Sequence, residues 1–149
     1  MPATDLRDTL SLIKKAVHFA NDTLRIEAAL QGDGIVSGCT PSWTSGMTVR
    51  VAAGTVRIGG TDSSVSQTAL TATAAHASKN RVDMMVINNS GTPSLVAGTA
   101  ADDNAADPAS PGAIPANSVV IGYVWVPAGA AALQAAYVWD RRTLLDDPL

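Results

Sequence analysis

The sequence predicts a mainly β protein, in which an N-terminal, coiled-coil-like α-helix precedes a compact antiparallel β domain of sandwich or barrel-like form. Two patterns predict this fold. Apolar residues recur at helical spacing near the start of the chain, and from Ile35 onward they alternate with the two-residue period of a strand. We expect a helical oligomerisation segment over residues 1–31, a β-rich domain over 32–143 and a short tail over 144–149.

The N-terminal segment carries a seam of apolar residues at alternating four- and three-residue spacing, which is typical of a coiled coil. The predicted oligomer interface consists of Leu6, Leu10, Ile13, Val17, Ala20 and Leu24. Because this seam covers fewer than three heptads, the helix is too short to be stable alone. It must pack either against other copies of the chain or, as an amphipathic helix, against its own sheet.

Two later segments are apolar on both faces, which predicts central strands. They cover residues 81–88 and 118–127. In the second segment one face is expected to hold Val119, Ile121, Tyr123 and Trp125. The turn signal at residues 88–91 predicts a hairpin whose returning strand covers residues 94–97.

Alternating residues also predict strands over 47–51 and 56–58, joined through residues 52–54. A two-residue turn there would place Arg50 opposite Arg57. Because like charges that face each other destabilise a strand pair, we expect a longer or bulged connection, or an acidic partner for the arginines.

Residues 98–117 predict a long loop, because they combine several prolines with Asp102, Asp103 and Asp107. The loop either reaches a neighbouring molecule or is a plain excursion. Charged residues lie beside the apolar strands. Because arginine pairs bidentately with carboxylates, we expect Arg81 with Asp83 and Asp140 with Arg141 to form a structural charge lock that fixes strand ends or subunit contacts. The alternative is a pair of surface ion pairs worth under about 1 kcal/mol each.

Composition argues against several functions. The net charge is −3, the isoelectric point is about 5.1 and no basic run is present, so we expect no nucleic-acid partner. No apolar run reaches the roughly 18 residues that span a bilayer, so we expect no membrane insertion. His18 and His76 lack zinc-site spacing, and Ser37 lacks the flanking glycine of a nucleophile elbow. We therefore expect no catalytic residue, no metal site and no cofactor, and predict that the protein is not an enzyme.

The order of the motifs in the β domain resembles the attachment domains of tailed-bacteriophage baseplate and tail-fibre (minor tail) proteins. The resemblance covers about residues 32–142 and rests on residues 34–38 (GIVSG), 47–55 (MTVRVAAGT), 80–91 (NRVDMMVINNSG), the spaced prolines at 108, 111 and 115, 120–129 (VIGYVWVPAG) and 140–142 (DRR). It implies a β-rich domain, usually trimeric, that docks a fibre or receptor-binding component onto the virion.

The resemblance leads to the expectation of a structural virion protein from the tail or baseplate region, made in the host cytoplasm. It would act as a homotrimeric adaptor or short fibre in virus assembly. Its expected partners are further copies of itself and other phage tail, baseplate or head proteins, with the host cell surface as a further candidate. One alternative is a head-surface fibre or decoration protein. Another is a module that binds a host glycan or surface protein through Trp43, Trp125 or Trp139.

Overall fold

The computed structural model describes residues 32–102 and 109–145, and in this part of the chain the protein is mainly β, with no α-helix. The predicted N-terminal helix and its seam lie outside the described residues. A single 3₁₀ turn, Ala135–Tyr137, accompanies the strands. In chain order these are β1 (Gly34–Gly38), β2 (Pro41–Ser45), β3 (Thr48–Val51), β4 (Gly54–Ile58), β5 (Thr61–Val65), β6 (Thr68–Thr71), β7 (Arg81–Asn88), β8 (Pro93–Val96), β9 (Ser118–Val126) and β10 (Val138–Asp140).

The strands form three antiparallel sheets. Their orders are β1-β4-β5, β2-β3-β6 and β10-β9-β7-β8. All three sheets contribute to one apolar core, so the described part of the chain has its own hydrophobic centre. Burial of each valine, isoleucine or methionine side chain contributes about 1.5–3 kcal/mol. The buried core residues are Ile35, Cys39, Val49, Val51, Val56, Ile58, Val65, Ala72, Met85, Ile87, Val119, Ile121, Val124, Val126 and Leu133.

Strands β3 and β4 are consecutive in the chain but lie in different sheets, so Arg50 and Arg57 do not face each other. The connection is instead bonded to the segment between β1 and β2: Ala52 N donates to Thr40 O (3.0 Å) and Cys39 N donates to Ala53 O (3.2 Å). Arg57 has an acidic partner, which was one of the two arrangements expected from the charge pattern. It lies opposite Asp62 in the β4–β5 hairpin, with Nε 2.6 Å from Oδ1.

The β4–β5 hairpin turns through Gly59 and Gly60, whose φ angles are +61° and +79°. Two consecutive positive φ values are the requirement of a type I′ turn, which matches the twist of the strands that it joins. Glycine adopts this conformation without the steric penalty of a Cβ atom. The local sequence therefore sets the register that brings Arg57 and Asp62 together.

Strand β7 lies inside its sheet, and its residues from Arg81 to Ile87 are all buried. This agrees with the prediction of a central strand. The turn after it leads into β8, as predicted. On the other side β7 pairs with β9, the second predicted central strand, over nearly the full length of both.

A β-bulge in β9 changes which side chains face the core. Met85 pairs with Gly122, but the next residue of β7, Val86, pairs with Val120, so Ile121 is an extra residue. Tyr123 therefore points to the face opposite the core, as does Trp125. The prediction that these two aromatic residues share a face with Val119 and Ile121 is wrong, because the bulge shifts the two-residue alternation.

The end of the described chain packs beside β1. Ile35 N donates to Thr143 O (2.8 Å) and Leu145 N donates to Ile35 O (2.9 Å), which forms a parallel bridge between Ile35 and Leu144. Residues 144 and 145 thus belong to the β unit, although the sequence placed them in a tail. The 98–117 loop is also attached to the domain, since bridges join Asn80 to Ala101 and Thr99 to Ser110.

Candidate functional site

A buried charge network surrounds Arg81 and Asp83 at the start of β7. The two side chains lie two residues apart, so a strand places them on the same face. They form a bidentate pair: Nε donates to Oδ1 (2.6 Å) and Nη2 donates to Oδ2 (3.0 Å). The exposed fractions are only 7% for Arg81 and 1% for Asp83. The structure thus brings together the first predicted charge pair.

The same network joins β7 to the loop before it and to the loop that follows β8. Nη2 of Arg81 donates to Thr73 O (2.9 Å), Nη1 donates to Ala74 O (3.0 Å), and Asp83 Oδ1 accepts from Gly98 N (3.1 Å). Gly98 opens the long loop that the sequence predicted. The buried charges are therefore paired and hydrogen-bonded, which is the condition under which a protein interior tolerates them.

A second charge pair lies at the end of β10, but its members differ from the prediction. Asp140 pairs with Arg142, with Oδ2 2.7 Å from Nη2, and not with Arg141. Neighbouring residues of an extended chain point in opposite directions, whereas residues two apart share a side. Nη1 of Arg141 donates instead to the backbone oxygen of Asp140 (3.2 Å).

Arg142 also connects β10 to β1, because its Nη1 donates to Gly38 O at 2.7 Å. Its hydrogen bonds hold the pKa of the Asp140 carboxyl below the ordinary value. The same guanidinium thus binds both a carboxylate and a strand terminus in another sheet.

Three aromatic side chains line a pocket of about 250 Å³ where β10 meets β9: Trp125, Tyr137 and Trp139. The register explains their proximity. Trp139 lies opposite Tyr123, so Trp125 is its diagonal neighbour on β9, while Tyr137 ends the 3₁₀ turn that leads into β10 and contacts β9. Opposite and diagonal residues of antiparallel strands share a face and touch. The sequence had indicated Trp125 and Trp139 separately as candidates and had missed Tyr137, which only the pairing of β10 with β9 reveals.

The third tryptophan does not line this pocket. Trp43 lies on β2, and its indole Nε1 donates to Gly46 O at 3.1 Å. Its exposed fraction, 36%, is close to the 42% of Trp139. Trp43 therefore provides a matched reference for an exposed tryptophan outside the pocket.

Of the two histidines considered for chemistry, His76 has local structural contacts and His18 lies outside the described residues. Nδ1 of His76 accepts hydrogen bonds from the backbone N–H groups of Ser78 and Lys79, each at 3.1 Å. Cys39 is buried in the core, and this burial raises the pKa of its thiol. Over residues 32–102 and 109–145, no group of three or more His, Cys, Asp or Glu side chains is arranged to hold a metal ion. The chemical interaction that the pocket of Trp125, Tyr137 and Trp139 offers is aromatic stacking.

No helix in the described ranges is long and apolar enough to cross a membrane. Comparison with protein-family models, with curated protein sequences and with solved structures found no match to the chain.

Proposed function

We propose that the protein is a structural component of a tailed-phage virion, in the tail or baseplate region. It would act as a homotrimeric adaptor or short fibre, in which an N-terminal helix joins the copies and a sandwich-like β domain attaches other virion components. The observation that carries the proposal is the order of the motifs in residues 32–142, which follows a heptad-like seam.

The placement of those motifs in the fold supports a role for them in assembly. The 34–38 motif forms β1, the 80–91 motif contains β7, and the 120–129 motif contributes most of β9. The 140–142 motif supplies the pair of Asp140 with Arg142, which binds β1. The motifs thus occupy the core strands and the ion pair that hold the sheets together, as expected of a rigid scaffold.

Low charge content is also in keeping with an assembly role. Charged residues make up 15% of the chain, against about 25% in a typical soluble protein. A surface with few charges is easier to bury against neighbouring subunits, because fewer charged groups lose their hydration there.

Light scattering on the purified full-length protein tests the trimer. We expect three times the chain mass at micromolar concentration. The variants Leu10→Asp and Ile13→Asp should dissociate it, since each places a charge in the seam. Lys15→Asp reverses a charge off the seam and is the control. A monomeric wild-type protein at micromolar concentration would contradict the trimer.

The position in the particle needs a separate measurement. Mass spectrometry of purified virions should detect the chain, and electron microscopy with an antibody against the β domain should label the tail end. Labelling of the head surface would instead favour a head fibre or decoration protein. Virions without the chain would exclude a structural role.

A further inference from the structure

We propose that the pocket lined by Trp125, Tyr137 and Trp139, hereafter the aromatic pocket, binds a neutral sugar ring of an oligosaccharide. The inference rests on the geometry of β9 and β10 and does not depend on the proposed place of the protein in a virion.

The exposed rings of the aromatic pocket favour a ligand that stacks flat on them. Trp139 lies on the edge strand β10 and leaves 42% of its surface exposed, while Trp125 on the neighbouring strand is half-buried. Their backbones are fixed, because β10 pairs with β9 through three consecutive residues. A sugar ring presents a flat C–H face, which packs against the electron-rich face of an indole.

The described surface that lines the aromatic pocket is apolar, so a ligand is held there by stacking on the rings. A sugar ring can bury its C–H face on such a surface while its hydroxyl groups remain in water.

Charge and size separate a sugar from other occupants. Among the described residues no charged side chain lines the aromatic pocket, and the adjacent Asp140 and Arg142 neutralise each other. A charged ligand would therefore lose its hydration without gaining a counter-charge. A stable interface with a second copy buries roughly 800 Å² on each partner, so the three aromatic side chains alone do not form one. A neutral sugar ring fits both limits.

Binding of the full-length protein to an array of neutral oligosaccharides built from hexoses and N-acetylhexosamines tests the proposal. Calorimetric titration of the best array ligand then gives the affinity. We expect Trp139→Ala to raise the dissociation constant about two- to tenfold, the effect of losing one aromatic contact. Trp139→Phe, which keeps a ring, should retain part of the affinity. Trp43→Ala, at a similarly exposed position, should leave it unchanged.

Thermal unfolding of each variant establishes that it is folded, and light scattering follows the oligomeric state. No binding anywhere on the array at millimolar ligand would overturn the proposal. So would an equal loss in Trp43→Ala and Trp139→Ala, or binding confined to charged glycans. If Trp139→Ala instead changed the oligomeric state while the wild-type protein bound no sugar, the aromatic pocket would be a contact between copies. Sugar binding by a protein absent from virions would leave this inference standing and remove the proposed function.

Discussion

Strand geometry selects the ion-pair partners. Arg81 with Asp83 and Asp140 with Arg142 are each two residues apart, and Arg57 with Asp62 are opposite residues of neighbouring strands. All three arrangements place the two side chains on the same side of an extended chain or of a strand pair. Arg81 with Asp83 was therefore accessible from the sequence once the strand was identified. The choice of Arg141 as partner for Asp140 failed because neighbouring residues of an extended chain point in opposite directions.

Burial determines how much each pair stabilises the protein. Asp83→Asn leaves the buried Arg81 guanidinium without its carboxylate, so we expect the free energy of unfolding to fall by about 3–5 kcal/mol. Asp62→Asn is the matched control, because its partner Arg57 is also an arginine but the carboxylate is 45% exposed. There the loss should stay below about 1 kcal/mol. Urea unfolding followed by circular dichroism measures both, and similar losses would contradict the structural importance of the buried network.

The exposed pair at the end of β10 should make stability depend on pH. Arg142 lowers the pKa of Asp140 below its ordinary value of 3.8. A carboxylate whose pKa is lower in the folded state stabilises the protein above the unfolded pKa and loses this contribution as the pH falls through the folded pKa. Because Asp140 is 41% exposed, the contribution should be below about 1 kcal/mol.

We therefore expect Asp140→Asn to lower Tm slightly at pH 7, and the difference from the wild-type protein to shrink below about pH 4. Differential scanning calorimetry at several pH values measures it. High salt at pH 7 should reduce the same difference, since an exposed pair is screened. A difference that grows toward acid pH would contradict the sign of the pKa shift.

At the scale of elements, the sequence pattern predicted the strands better than it predicted how they pair. The residues of β7 and β9 are apolar on both faces, and this is why both strands were predicted close to their observed bounds. The bulge at Ile121 leaves no clear mark in the alternation, because the residues around it are apolar on both faces. The aromatic pocket was not predicted as a unit, because its composition depends on the long-range pairing of β10 with β9.

Gly122, next to the bulge of β9, lies close to β10, which gives a prediction for this residue. A Cβ atom at this position would lie 2.5 Å from the backbone oxygen of Trp139 and 3.0 Å from Cε of Met85. A backbone oxygen in a paired strand cannot move without disturbing the ladder. We expect Gly122→Ala to lower the free energy of unfolding by about 1–3 kcal/mol, the range for overpacking.

Gly112→Ala is the control for Gly122→Ala, because its Cβ atom would meet its nearest neighbour only at 3.2 Å, in a loop. Its loss should be clearly smaller. Chemical unfolding of both variants decides the comparison. Gly122 belongs to β9, whose pairing with β10 positions Trp139. We therefore expect Gly122→Ala also to weaken sugar binding by the aromatic pocket.

At the scale of the molecule, sheet membership could not be derived from the sequence. Strands β3 and β4 lie in separate sheets although only two residues separate them, and β9 pairs with β7 although β8 and a long loop lie between them in the chain. Such pairings depend on which strands bury one another around a common core, and no local pattern encodes that choice. The mainly β character and the positions of β3, β4, β7, β8 and β9 followed from periodicity and turn signals.

Deleting residues 1–31 tests whether the β domain folds by itself and whether the predicted helix joins the copies. The described residues share a core drawn from all three sheets, and β1 begins only at Gly34. We therefore expect the shortened chain to fold and to unfold cooperatively. If the seam joins the copies, the same deletion should convert the trimer into a monomer. Light scattering and calorimetry on the shortened protein measure both properties. A shortened chain that remains trimeric would transfer the interface to the β domain, whereas one that fails to fold would show that residues 1–31 complete its core.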